Sequence, residues 1–559
     1  MNWNCGHGWN RFDHSSAATP QVVCLKEYGS EYFTCESISM THPSIHAGQQ
    51  PEKLAAVFVP SGVSLTYGAL DKGANQAAKV LRACGAVAGD GVVFCVDNSP
   101  EFLQIAWACQ RIGVRFTPAS TRLGAGDLHH IVRDSGAKIL IVSARVECAT
   151  KLSLGELEGV RLLSLKGDLP GFVRWEGQVS QVDDTAIENP TPGREMMYSS
   201  GTTGRPKGVR KPMPTGKFDD PDSRNAGVDK RPGAGLDMVH LCTSPLYHAA
   251  PYRNVAATLA IGGTSVVLEK FDAALALECI ARFGVTHSVW VPTMFNRLLR
   301  LSPEVRDAVG GASTHQAAYH GAAPCPVHIK EKMIEWWGPI IYEYYAGTEG
   351  IGACAIDSQE WLQHKGSVGR AVDGIIHILD ADDNELPTGM TGLVFFESAS
   401  TFEYFNDGAK TGRSRSRQGW WTYGDIGHVD EEGYLYLTDR RDFVIISGGV
   451  NVYPQEIEDF LLRDNRVLDA AVFGVPDDEY GEAIQAIVQV SEECVLDANA
   501  LAQELRAKCR EHLGSVKTPR NVQVVHDFPR LPTGKLHKKA LRDAFLASSA
   551  TTAIGAPGS

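Results

Sequence analysis

The sequence predicts an α/β protein: a large N-terminal domain of two α/β subdomains plus a small β-barrel, then a small α+β C-terminal domain. Three observations predict it. From Leu54 onward, short apolar runs of strand length alternate with helical patterns, in two separate sets. After about Gly366 the texture changes to short strands broken by frequent turn signals. From about Phe443 a last compact section mixes strand runs with an amphipathic helix.

In the first set, "GVVFCV" (91–96) has the unbroken apolar character of a strand buried on both faces. "PEFLQIAWACQRIG" (100–113) follows as a helix opened by proline, "VRFTPAS" (114–120) as the next strand, and "AKILIVSA" (137–144) as another. The second set holds "GTSVVLEKF" (263–271), a helix over "AALALECIARFG", and "VTHSVWVP" (285–292). Strands joined by helices imply parallel sheets covered on both faces. "GIIHILDADDNELPTGMTGLVFFES" (374–398) fits a small antiparallel barrel or sheet. In the last section "VLDAAVFGVPD" and "AIQAIVQVS" read as strands and "DANALAQELRAKCREHLG" as a helix. The expected domains are an extension over 1–50, a large domain over 51–441, a small domain over 442–545 and a flexible tail over 546–559.

A chain of 559 residues is long enough for several domains. The formal net charge of -13 disfavours a nucleic-acid-binding surface. The 13 cysteines include no C-x-x-C pair and no zinc spacing, and several sit in apolar runs such as Cys95 and Cys109. They fit a reduced, intracellular protein. The N-terminus has no signal-peptide pattern and no apolar run is long enough to span a membrane, so a cytoplasmic location is expected.

One stretch calls for chemistry: "MMYSSGTTGRPKGV" (196–209). Its glycines, hydroxyls and single lysine suit a phosphate cradle. A Walker A loop needs a glycine before the lysine and Ser/Thr after it, whereas Pro206 and Gly208 stand there. An ordinary P-loop ATPase is therefore disfavoured.

Three further stretches follow in order: "EYYAGTEG" (343–350), "GWWTYGDIGHVDEEGYLYLTDRRDFVIISGGVNVYPQEIE" (419–458) and "PRLPTGKLHKKAL" (529–541). Together the four resemble the adenylate-forming superfamily, over roughly Leu54 to Leu541. Within it the chain looks most like bacterial acyl-CoA synthetases, on "PLYHAAP" (245–251), "HGAAPCP" (320–326) and "ISGGVNVYPQEIE" (446–458). The resemblance implies a two-step ligase. A carboxylate attacks the α-phosphate of Mg·ATP and releases pyrophosphate; the small domain then rotates, and coenzyme A displaces AMP to give a thioester. It implies small-molecule partners only, and it allows a homodimer.

The resemblance also assigns residues. Ser199, Ser200, Gly201, Thr202, Thr203, Gly204 and Lys207 would surround the phosphates. Gly321, Ala322, Ala323, Tyr344 and Tyr345 would lie around AMP, with Tyr345 near the adenine. Thr348 would bond the α-phosphate and Glu349 would anchor Mg²⁺ with a hard oxygen. Asp425 and Arg440 resemble the ribose-binding pair, and Asp442 the hinge. Gly448 and Gly449 would let the pantetheine arm of coenzyme A pass close to the backbone. Lys535 in "PTGKL" would bridge the substrate carboxylate and ATP, whereas Lys538 and Lys539 are expected to be solvated. His248 matches the carboxylate end of the acyl pocket, with Ala250, Trp290, Ala322 and Gly347 as further walls. These small walls suit a bulky or long acid. Ala346 replaces a glycine usual in this motif, and Phe443 follows the hinge where relatives often carry an acid. The competing readings are an enzyme that loads a carrier protein, a luciferase-like oxygenase and a non-catalytic adenylate-binding protein.

Overall fold

The apolar strand runs assemble into two parallel sheets with a layer of helices between them. The computed structural model describes residues 42–199, 206–220, 231–308, 314–448, 450–477, 479–491, 497–530 and 536–554. One sheet has nine strands. Its parallel centre is made by Leu54–Val59, Thr264–Leu268, Val239–Cys242, His287–Trp290, Ala317–His320 and Ile341–Ala346. Antiparallel strands finish its edges. The other sheet has six strands, all parallel, with Gly91–Cys95 between Ala137–Ser143 and Arg115–Pro118.

Helices Tyr67–Ala83, Pro100–Arg111 and Ala249–Ile261 fill the space between the sheets, in one apolar core that contains Phe58, Phe94, Phe102 and Tyr252. Their ends follow from local chemistry. Thr66 accepts from the Ala69 N–H, and Pro100 sits in the first turn where no intrahelical N–H bond is lost. Gly262 closes the third helix in the left-handed region at φ 91°. The outer face of the nine-stranded sheet is covered by Ala273–Phe283, Pro292–Leu299 and Val327–Trp337. Part of the expected N-terminal extension is structured as well. Helix Pro43–Gln49 packs on the third helix, with His46 Nε2 donating to Ala260 O at 3.0 Å.

The turn-rich part after Gly366 forms a four-stranded antiparallel sheet among the described strands, in place of a closed barrel: Ile375–Leu379, Gly392–Glu397, Asp425–Val429 and Leu435–Arg440. A separate three-stranded sheet joins Met197–Ser199, Lys207–Arg210 and Glu403–Tyr404. The last section is a five-stranded sheet centred on Val467–Asp477 and Gly481–Val490, covered by Pro454–Leu461 and Ala498–Leu513. The expected flexible tail is helical over most of its length, because helix Lys538–Ile554 runs on to Ile554.

Lys538 is not the solvated lysine expected. Its side chain is 13% exposed and its Nζ lies 2.7 Å from Glu458 Oε1. Burial raises the Glu458 carboxyl to about 7, with Lys538 opposing the shift, and burial also raises Asp459 to about 6. A carboxyl raised in the folded state contributes stability below its unfolded value near 4.5, which is lost as pH climbs through about 7. Denaturation of the small domain should therefore show up to about 3 kcal/mol less stability at pH 8 than at pH 4.5. The Glu458→Gln variant should lose that share of the slope and keep the part due to Asp459; an unchanged slope would exclude Glu458 as a source.

Candidate active site

The glycine-rich stretch is the connection of a β-hairpin. Met197–Ser199 and Lys207–Arg210 pair antiparallel, with Lys207 opposite Ser199 and Gly208 opposite Tyr198. Ser200, Gly201, Thr202, Thr203 and Gly204 lie outside the described residues, as does the side chain of Ser199. Both shoulders of the loop are held. His130 Nε2 donates to Pro206 O at 3.0 Å, and Lys207 Nζ donates to Asp407 Oδ2 at 2.7 Å. The Lys207 hydrogen bond is the main reason that the Asp407 carboxyl sits below its usual range.

Beside the hairpin, strand Ile341–Ala346 delivers Tyr344 and Tyr345 and then turns sharply through Gly347, Thr348, Glu349 and Gly350. Glu349 is buried, and its Oε1 accepts from the Tyr404 hydroxyl at 2.6 Å. Tyr404 belongs to the strand that pairs with the hairpin, so this contact ties the turn to the glycine-rich loop. The Tyr423 hydroxyl donates to Gly352 O at 2.8 Å and accepts from Ile351 N at 3.1 Å, bracing the turn from behind. A Cβ on Gly347 would lie 2.2 Å from the Tyr423 ring and 2.7 Å from Glu349 Oε2. Gly347→Ala must therefore displace a braced tyrosine and the Glu349 carboxylate together. Nucleotide affinity should fall at least ~10-fold, about 1.4 kcal/mol, with a modest change in melting temperature. Equal affinity by titration would show that the turn tolerates the methyl group.

The third component is the Asp425–Arg440 pair. These residues face each other across neighbouring antiparallel strands. Asp425 Oδ1 accepts from Arg440 Nε at 2.9 Å, and Oδ2 from the Tyr345 hydroxyl at 2.5 Å. Burial opposes the Arg440 charge, yet Asp425 outweighs it and lifts the pKa above the ordinary value. Burial first, and then the Asp425 carboxylate, push the Tyr345 phenol well up, so it stays protonated and donates. Each carboxylate oxygen keeps a lone pair for another donor.

The loop Gly321–Ala323 passes close to Tyr344. A Cβ on Gly321 would meet Tyr344 O at 2.6 Å, and Ala322 holds φ +68°, a left-handed conformation that alanine adopts only under constraint. Below this loop lie side chains that nothing in the sequence singles out. Lys330 Nζ pairs with Glu343 Oε2 at 2.7 Å, and His320 Nε2 lies 3.6 Å from the same oxygen, all buried. Burial holds His320 well below its usual value, so it is neutral there.

His248 stands half-buried immediately before helix Ala249–Ile261, with Ala250 in the first turn. Trp290 is a correction. It is 1% exposed, packs on Phe295 and Trp337, and donates its indole N–H to Ser288 Oγ at 2.6 Å. Alternation along His287–Trp290 places it in the core on the outer face of the sheet, whereas Val289 points to the inner face with Tyr319. Asp442 lies exposed in the short turn Arg441–Phe443, where the chain passes into the small domain. Gly448 sits at φ +59° between the paired strands Ile445–Ser447 and Val450–Val452, and its N–H is held by Tyr480 O at 2.8 Å. Gly449 and Lys535 lie outside the described residues.

The family profile for AMP-binding enzymes matches residues 44–405, and that for the AMP-binding enzyme C-terminal domain matches residues 456–535. The chain belongs to the AMP-binding enzyme family. Among relatives of this AMP-binding enzyme, a long-chain-fatty-acid–CoA ligase of Mycobacterium tuberculosis is 32% identical, over 89% of this chain and 96% of the relative. An indoleacetate–CoA ligase of Aromatoleum aromaticum is 28% identical over the same shares. An amide bond synthetase from Marinactinospora thermotolerans superimposes with a TM-score of 0.74 at 27% identity, over 88% of this chain and 97% of that one. Among the described residues of this AMP-binding enzyme, no helix is long and apolar enough to cross a membrane.

Proposed function

We propose that the protein is an ATP-dependent carboxylic acid–CoA ligase. It activates an acid as its acyl-adenylate and passes the acyl group to coenzyme A. The observation that carries this reading is the convergence of three groups in a chain of this family. They are the Asp425–Arg440–Tyr345 cluster, the buried Glu349 and the hairpin with Lys207 at its shoulder.

A carboxylate is a weak nucleophile and ATP repels it, so the protein must hold like charges together and neutralise what develops. Lys207, with Thr202 and Thr203, would cradle the departing pyrophosphate, and Thr348 would donate to the α-phosphate. Asp425 would accept the ribose hydroxyls on its remaining lone pairs, while Arg440 and Tyr345 fix its orientation. Glu349 fits Mg²⁺, because it offers a hard oxygen beside the phosphate loop. When bound, Mg²⁺ would supply charge neutralisation at the phosphates. Lys535 would bring the cation that aligns the substrate carboxylate. Rotation about Asp442 would then carry Gly448 and Gly449 over the site to admit coenzyme A. A cytoplasmic location, where ATP and coenzyme A are abundant, belongs to the same proposal.

The test is to incubate the protein with Mg·ATP and a panel of carboxylic acids, with and without coenzyme A, and identify products by mass spectrometry. Thioester with coenzyme A and adenylate without it are expected. The likeness to an amide bond synthetase favours one second reading, an amine as acyl acceptor. Adenylate converted to amide but never to thioester would replace the first reading by the second.

A further inference from the structure

On the inner face of the nine-stranded sheet lies a group of polar side chains that the chemistry above does not use. Ser265, His240 and His287 are neighbours across three adjacent parallel strands, so all three point to the same face. All three are 0% exposed. Both ring nitrogens of His240 and the hydroxyl of Ser265 lack a hydrogen-bond partner among the described residues. A buried polar atom without a partner is costly, so it calls for an explanation.

Arg231 faces this row. Its guanidinium lies 4.2 Å over the Tyr319 ring, and its NH1 donates to Asn254 Oδ1 at 2.7 Å. No carboxylate of the described residues pairs with it, and the groups that favour its charge are the phenols of Tyr319 and Tyr344. Burial, reinforced by the Arg231 charge, pushes His240 down to about 3, and burial above all pushes His287 down to about 4. Both imidazoles are therefore neutral. The group thus sets a half-buried guanidinium, without a carboxylate partner among the described residues, beside fully buried polar side chains with unused hydrogen-bonding capacity.

Its place in the fold gives it a use. Tyr319 lies two residues before Gly321 on the same strand, and Asn254 lies on the helix that begins after His248. At ~3.3 Å per residue, Tyr319 is about 7 Å from the Gly321 loop, and the row through His287, opposite Ala317, is about 13 Å from it. We propose that Arg231, with His240 and Tyr319 beside it, binds a second oxyanion at the far end of the acyl substrate. The preferred acid is then a dicarboxylate whose two ends lie about 7 to 13 Å apart. This inference rests on the ligase reading for the identity of the reacting end.

The test measures equilibrium binding of straight-chain dicarboxylic acids and of monocarboxylic acids of matched length. The full chain is first saturated with an ATP analogue whose α,β-bridging oxygen is a methylene, so that no adenylate forms. The wild-type protein should prefer the diacid at least ~100-fold, the gain expected of a charge-assisted pair formed inside the protein. Arg231→Met should collapse that preference, and Arg231→Lys should keep part of it. Equal binding of diacid and monoacid by the wild type, or a preference that survives in Arg231→Met, overturns the proposal. An equal weakening of all acids in Arg231→Met also overturns it, since that marks a merely structural arginine. Thioester formation without the diacid preference would remove this inference alone. A diacid preference without any thioester would keep it and remove the ligase reading.

Discussion

Lys535→Ala is expected to slow formation of the acyl-adenylate by about 10²–10³-fold, the usual cost of deleting one preorganised group that stabilises transition-state charge. Three contacts fix the ends of the segment that carries Lys535. His537 N–H donates to Pro529 O at 2.9 Å, Arg530 and Leu536 form a bridge, and the Arg530 guanidinium pairs with Asp469 Oδ2 at 2.8 Å. The base of this segment is therefore tied to strand Val467–Asp477 of the small domain's sheet. Rigid rotation of that domain would move Lys535 with it. The loss should appear in single-turnover pyrophosphate release. Thioester formation from preformed adenylate should change little, because no carboxylate has to be aligned in that half. A pyrophosphate rate within about tenfold of wild type, roughly 1.4 kcal/mol, would remove Lys535 from the first half-reaction.

Asp425→Ala should damage both stability and nucleotide binding. It strips Arg440 of the carboxylate at 2.9 Å and leaves the Tyr345 hydroxyl without its acceptor at 2.5 Å. Arg440 is 47% exposed, so water screens the charge left behind, and breaking this pair costs about 1 kcal/mol, the upper end for a solvent-exposed ion pair. The four-stranded sheet should unfold at lower denaturant, and the KM for ATP should rise about 100-fold through loss of the ribose acceptor. Asp425→Asn separates the two effects. An amide keeps one acceptor oxygen for Tyr345 and fails to balance Arg440, so it should fall between wild type and alanine. An ATP KM unchanged in Asp425→Ala would place the ribose elsewhere.

The buried strands were legible in the sequence because a two-sided environment writes itself locally. A run such as Gly91–Cys95, buried on both faces, has no room for polar side chains. Helix boundaries were equally local, as at Pro100 and at Gly284, which ends Ala273–Phe283 in the left-handed region. The partners of the site residues were not legible. Tyr404 and Asp407 meet Glu349 and Lys207 across 55 and 200 residues of chain, and neither sits in a recognisable pattern. Trp290 was misplaced because a strand of four residues has two faces, and the sequence alone does not say which face looks into the pocket. Lys538 looked like any surface lysine. Only the fold brings Glu458, 80 positions earlier by number, against it. Arg231 and His240 were silent for the same reason, as single polar residues whose meaning comes from strands and helices distant in sequence.

The three-stranded sheet that frames the glycine-rich loop has a consequence for biosynthesis. Its third strand, Glu403–Tyr404, is separated from the hairpin by 193 residues at the Arg210–Glu403 contact. A ribosome adding 5–20 residues per second needs roughly 10–40 s to cover that stretch. By the end of that interval the nascent chain holds the strands of both parallel sheets, while the hairpin's outer edge still has no partner. The nucleotide site is therefore assembled late, after the scaffold that carries it. A chain stalled just before residue 403 should be compact yet unable to retain ATP, and a few dozen further residues should restore retention once they clear the exit tunnel.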